Sequence, residues 1–255
     1  MFAADDFPTM KELVIWPDWF GHGHPYAFNK VAFLTLLAVL IPVALFLIAG
    51  AKYKKSLVPS GVQNIVESTI EMVEKQVILP TIGPEGLTFL PLLLSMFVFI
   101  FVGNLFEIIP TAQFPANARM ANPLVLALIA WLVFIGVGIK HNGPKYFWDA
   151  INPPGVPIAL KFLVIPIEFI SVFLVRPFSL TIRLFANMLA GHILLVTFGV
   201  LSVSVFVKSA LIVVLPAPFL GLVLFTGFEL LVAVLQAYVF TLLTAVYIGG
   251  SIHTH

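Results

Sequence analysis

Residues 183–208 read RLFANMLAGHILLVTFGVLSVSVFVK. Between the two terminal cations, Leu184 to Val207 carry no Asp, Glu, Lys or Arg. A helix needs about 20 mostly apolar residues to cross the hydrocarbon of a bilayer, so this run reads as a membrane span. Working outward, the same reading applies to Val31–Ala51, Gly86–Phe106, Met120–Ile139, Ala210–Phe228 and the run from Leu230 onward. The last two count as one, because Pro216 and Pro218 break the chain ahead of Glu229 and that one carboxylate interrupts a single long apolar run. The 255 residues are 60% hydrophobic and 10% charged. Soluble domains run nearer about 45–50% and about 25%. That balance excludes a cytosolic enzyme, a nucleic-acid binder and a disordered chain. With no cysteine, disulfides, thiolate metal sites and iron–sulfur clusters are excluded too.

The expected fold is an all-α membrane protein with about five transmembrane helices plus one cytoplasmic amphipathic helix. It forms a single membrane domain over residues 1–255. An external segment covers 1–30, the first span 31–51, a surface helix 59–80, the second span 86–109 and the third 120–140. A long tilted helix covers 157–209 and a long final helix 216–250. The surface helix is read from Glu67, Glu71, Glu74 and Lys75 alternating with Val62, Ile65, Val66, Ile70, Val73 and Val77 at helical spacing. From Pro166, about 40 residues of helix would reach about 60 Å, twice the hydrocarbon thickness, so that helix must tilt, kink or lie along the membrane.

Cations set the orientation. Lys52, Lys54, Lys55, Lys75, Lys140, Lys145 and Lys161 fall inside, against Lys11, Lys30, Arg119 and Lys208 outside. The N-terminus is then external and the C-terminus cytoplasmic. Met1–Phe7 carries Asp5 and Asp6 without an early cation, so it does not read as a secretory signal. His22, His24, His253 and His255 read as surface residues near the ends.

Polar side chains at membrane depth are expensive and point to function. Eight stand out: Glu107, Glu168, Arg176, Arg183, Asn187, His192, Glu229 and Gln236. If the last two long helices form an antiparallel hairpin, facing residues have numbers with a constant sum. Arg183 with Gln236 gives 419 and His192 with Glu229 gives 421. Both imply a fold-back near residue 210, next to Lys208. Glu229 and Gln236 share a face at a spacing of seven, as do Arg183 and Asn187 at four. Arg183 cannot lose its proton and has no acid four residues away, which suits a partner supplied transiently by another subunit. His192 with Glu229 is a pair able to pass protons. Asn187 and Gln236 can hold water or orient the cation. Arg176, before Pro177, can snorkel to the inner surface. Glu107 lies beside Pro110 near the outer end of the second span, and Glu168 fits the inner surface.

The stretch SLTIRLFANMLAGH, Ser179 to His192, resembles subunit a of the F-type ATP synthase. Glu229 with LQAYVFTLL, residues 235–243, is similar to that family's final helix, and GNLFEIIP, Gly103 to Pro110, to its outer-end motif. The resemblance covers the chain from about residue 25 onward. It implies a stator beside a ring of c subunits, with two offset aqueous half-channels. Arg183 matches the family's essential arginine, Asn187 its polar neighbour and Gln236 the glutamine of the last helix. The acid and histidine occur in either arrangement among members; here they are Glu229 and His192. Asn104 and Glu107 match positions of the outer access path, and Glu168 and Arg176 fall toward the cytoplasmic exit.

The implied partners are the c-ring, b-type subunits of the peripheral stalk, the ATPase head indirectly, and the lipid bilayer, with no nucleic acid. The expected location is a bacterial plasma membrane, before a mitochondrial inner membrane or a thylakoid. The chain is expected to perform no bond chemistry itself and to need no cofactor or metal, since it has no phosphate loop. The transported ion is expected to be H⁺ rather than Na⁺. A stand-alone ion-coupled secondary transporter is the alternative, although no internal repeat supports it. A non-conducting anchor of a respiratory complex is a third, without the paired histidines a haem needs.

Overall fold

A computed structural model describes residues 18–21, 28–53, 61–109, 112, 114–152, 156–207 and 213–252. Most of the external segment, Lys11, Lys54, Lys55, Lys208, Pro110, His22, His24, His253 and His255 lie outside the described residues. The protein is an all-α membrane protein, and five of its helical stretches are long and apolar enough to span a bilayer.

A short antiparallel ribbon, β1 (Asp18–Phe20) and β2 (Phe28–Asn29), leads into the first helix. Helix α1 (Lys30–Tyr53) starts where the Asn29 side-chain oxygen accepts from the Val31 and Ala32 amides, a side-chain N-cap. It carries Pro42 inside and ends with Lys52 in its last turn.

The surface helix α2 (Val62–Met72) continues through a π segment, Val73–Ile78, to Leu79–Thr81. Its buried side differs from the expected stripe. Val66, Val73, Val77 and Ile78 are buried, but Ile65 is exposed and Gln63 is buried, donating to Glu67 at 2.9 Å. Both departures lie in the regular α-helical part, ahead of the π segment, and Val73 and Val77 inside that segment are buried as expected. On the exposed side Lys75 pairs with Glu71 and holds its carboxyl below the usual carboxylate range. Gly83, at φ 90°, turns the chain into the second span, a backbone setting that glycine adopts without strain.

That span runs through a 3₁₀ turn, Pro84–Phe89, into α3 (Leu90–Leu105). The third is α4 (Ala121–Asn142), followed by the short α5 (Tyr146–Ile151). Helix α6 (Ile158–Ile170) contains Pro166 and passes through a second π segment, Ser171–Val175, into α7 (Arg176–Val207). Proline removes one helix donor and clashes with the preceding turn; the widened turns that follow keep the helix going. The apolar stretch Leu160–Phe206 has 47 residues, about 70 Å of helix against about 30 Å of hydrocarbon. Helix α8 (Pro216–Ile252) has 37.

The chain sorts into two compact units interleaved in sequence. One takes Met1–Pro42, Phe99–Arg119 and Leu184–Gln236; the other takes Val43–Val98, Met120–Arg183 and Ala237–His255. In the first, Leu34, Ala38, Phe114, Leu184 and Met188 are core residues. In the second the core includes Val73, Leu93, Phe134, Tyr146 and Ile248. There the C-terminal end of α8 is pinned. Tyr146 and Ser251 share a hydroxyl hydrogen bond at 3.0 Å, and Asn142 donates to the Ser251 carbonyl at 2.9 Å. A Cβ at Gly249 would come within 2.6 Å of the Thr81 carbonyl oxygen, so only glycine permits that backbone approach.

Candidate functional site

Within the first unit the α7–α8 hairpin gathers the polar residues. The Asn187 amide donates to the Gln236 side-chain oxygen at 2.8 Å. The Phe198 and Phe225 rings stack at 4.9 Å. Both pairs have numbers adding to 423, while Gly191 against Glu229 gives 420 and Gly221 against Phe198 gives 419, so the expected antiparallel hairpin is present and the sums of 419 and 421 fall inside its spread. The amide expected to face Arg183 accepts instead from Asn187, one helical turn along α7.

Glu229 is buried and lies against the backbone of α7. A Cβ built on Gly191 would stand 2.5 Å from its Oε2, so glycine at 191 makes the seat for the carboxyl. His192 is the next residue, also buried, with its ring edge-on to Phe114 at 5.1 Å. Phe114 belongs to the segment following α3, which also holds Asn117. The Asn117 amide, 0% exposed, donates to Asn104 Oδ1 at 2.8 Å. Glu107, 5% exposed, stands about one turn past the start of the GNLFEIIP motif, in the same compact unit as Glu229.

The structure thus brings Asn104, Glu107, Asn187, His192, Glu229 and Gln236 into one unit, on the end of α3 and on α7 and α8. Among its buried atoms, Glu107 Oε1, Glu229 Oε2, Gln236 Nε2, Asn104 Nδ2 and Asn117 Oδ1 have no hydrogen-bond partner among the described residues. Interior polar atoms are nearly always satisfied by protein or ordered water. These buried polar atoms are therefore placed to hold ordered water. No group of three His, Cys, Asp or Glu side chains among the described residues has a metal-binding arrangement.

Arg183 behaves differently. It is exposed on α7 and makes no ion pair among the described residues. Asn187, one turn on, is exposed as well, and so are the small residues Ala186 and Ala190.

The model of the ATP synthase A chain family matches residues 32–249. The chain belongs to this family. It is 43% identical over 249 residues to ATP synthase subunit a of Frankia alni, covering 96% of this chain and 85% of that protein. The identity is 44% to ATP synthase subunit a of a Parafrankia species, over 100% and 88% of the two chains. It is 42% to that of Rhodococcus erythropolis, over 98% and 92%. In this family member, Arg176 and Glu168 lie in the second unit, as does Arg183. Arg176 is half-buried, its guanidinium over the rings of Tyr247 at 5.0 Å and Phe134 at 5.9 Å. The two rings thus bracket the guanidinium. Glu168, on α6, is half-buried just before the π segment.

Asn117, Phe114 and Gly191 escaped the sequence reading. Asn117 sits in a single short 3₁₀ turn, Ala116–Ala118, and Phe114 just before it, too short a stretch for periodicity to mark an inward face. Gly191 carries no chemistry of its own. A weak signal existed: an Asn between apolar neighbours close to a span end.

Proposed function

We propose that this chain is the membrane stator subunit of a rotary F-type ATP synthase, leading protons through two offset half-channels to and from the carboxylates of a c-ring, with Arg183 preventing leak between them. The observation that carries this reading is the exposed Arg183, without an ion pair among the described residues, on a helix otherwise apolar enough to span the bilayer. A guanidinium at mid-span costs about 2.5–3.5 kcal/mol even on the lenient insertion scale. It needs an anion or water, and the small exposed neighbours Ala186 and Ala190 let a partner helix approach closely.

The chemistry follows from the two environments. A ring carboxyl facing lipid is neutral, because its ionised form is too costly there. Beside Arg183 the charged form is favoured, so the proton departs into one half-channel and another arrives from the other. Asn104, Glu107, His192 and Glu229 supply the outer path; Arg176 and Glu168 flank the cytoplasmic one. Asn187 and Gln236 hold each other beside Arg183 and keep the α7 surface in register. The membrane field supplies about 2.3 kcal/mol per charge per 100 mV. The b-type stalk subunits hold the stator against the ATPase head, where nucleotide chemistry takes place. The N-terminus faces outward and the C-terminus the cytoplasm of a bacterial cell.

The test is Arg183→Ala in the assembled complex reconstituted in liposomes. Proton-driven ATP synthesis is expected to vanish, and ATP-driven proton pumping with it. Synthesis at a wild-type rate in that variant refutes the proposal.

A further inference from the structure

The segment after α3 carries a buried side chain with no part in the hairpin. Asn117 is fully buried, and its one hydrogen bond, from Nδ2 to Asn104 Oδ1 at 2.8 Å, ties this segment to the end of the second span. Swapping oxygen and nitrogen on both amides gives the same contact. Either way one amide N–H and one amide oxygen remain, and both are buried without a protein partner among the described residues. Such a donor–acceptor pair is equipped to hold water between its members. The same unit contains the buried Oε1 of Glu107, three residues beyond Asn104, and Phe114 against His192. The fit is close: a Cβ at Gly103 would lie 3.1 Å from Asn117 Nδ2 and 3.4 Å from the Ala116 methyl.

We propose that Asn117 is a positioning residue of the outer proton path: paired with Asn104, it holds the segment around Phe114 over the end of the second span and orients water toward Glu107. The inference rests on the stator reading of this chain. Neither amide titrates, so the bracket passes protons along bound water without trapping them, and the carboxyls beyond it do the accepting. It also sets the place of the Phe114 ring, which packs on the imidazole.

The experiment compares Asn117→Leu, Asn117→Asp and Gly103→Ala in whole complexes purified and reconstituted in liposomes. Passive proton conduction per assembled complex is read across pH, beside ATP hydrolysis by the detached head. Leucine keeps the bulk and removes both polar atoms, so conduction is expected to fall about three- to tenfold, the weight of one or two hydrogen bonds in the rate-limiting passage. Aspartate can still accept from the Asn104 amide, so it is expected to restore much of the rate with an altered pH profile, because a new charge stands near Glu107. Gly103→Ala keeps every polar group but pushes the segment outward, and is expected to slow conduction even if Asn117→Leu fails to assemble. Wild-type conduction and pH profile in the leucine variant, or loss of assembled complex with unchanged conduction per complex, overturns the proposal; so does a wild-type rate in Gly103→Ala. A failure of the stator reading itself is distinct: the wild-type membrane sector would then conduct no protons, or Arg183→Ala would be without effect.

Discussion

Gly191→Ala tests the seat of the Glu229 carboxyl with a single methyl group. The new Cβ would start 2.5 Å from Glu229 Oε2. Ordinary contact needs about 3.5 Å or more, so the carboxyl must retreat by about 1 Å. Glu229 is 4% exposed and packed within the hairpin, which restricts where it can go. A misplacement of about 1 Å in a reacting group can cost about a hundredfold in rate, so proton conduction is expected to fall between about ten- and a hundredfold. Helix stability works in the opposite direction. Alanine in place of an interior glycine favours the helix by about 0.5–1 kcal/mol, so the complex is expected to assemble normally. Gly199 on the same helix is the comparison, because a Cβ built there meets nothing within 4 Å. Gly199→Ala is expected to gain the helix preference and conduct as wild type. Both variants are assayed in inverted vesicles by ATP-driven acidification and by ATP synthesis, normalised to assembled complex. Equal, wild-type conduction in the two would refute the claim that the close approach of Glu229 to α7 governs proton passage.

Tyr146→Phe removes the hydroxyl that meets Ser251, but Ser251 still donates to the Tyr247 carbonyl at 2.9 Å; the cost is expected to be about 0.5–1 kcal/mol, read as a modestly lower melting temperature of the purified complex. Tyr247→Phe keeps an aromatic face under Arg176 and is expected to be nearly neutral, whereas Tyr247→Leu removes it and is expected to cost about 1–2 kcal/mol in the same measurement. Equal melting temperatures for the two Tyr247 variants would show that the guanidinium draws nothing from the ring.

The spans were legible residue by residue because lipid offers no hydrogen bonds to the backbone, so a chain crossing it must be helical and apolar for a set length. The same logic made Arg183 conspicuous: a permanent charge in oil has few innocent explanations. Tandem reading of Asn187, His192, Glu229 and Gln236 gave an antiparallel hairpin, since facing positions in such a pair keep a constant sum. The exact pairing was another matter. Whether Gln236 meets residue 183 or residue 187 depends on how the side chains of the two helices interlock along their length, and no local preference encodes that. Only packing of Phe198 on Phe225 and of Glu229 on Gly191 settles it. On the surface helix, the burial of Gln63 and exposure of Ile65 likewise depend on what packs against that turn, which the apolar pattern does not carry. Asn117 became visible only when the chain was folded: its partner lies thirteen residues back, reached through irregular backbone that has no period to read. Helix number and polarity are properties of short stretches and their solvent, whereas register, seats and brackets belong to contacts that exist only after distant stretches meet.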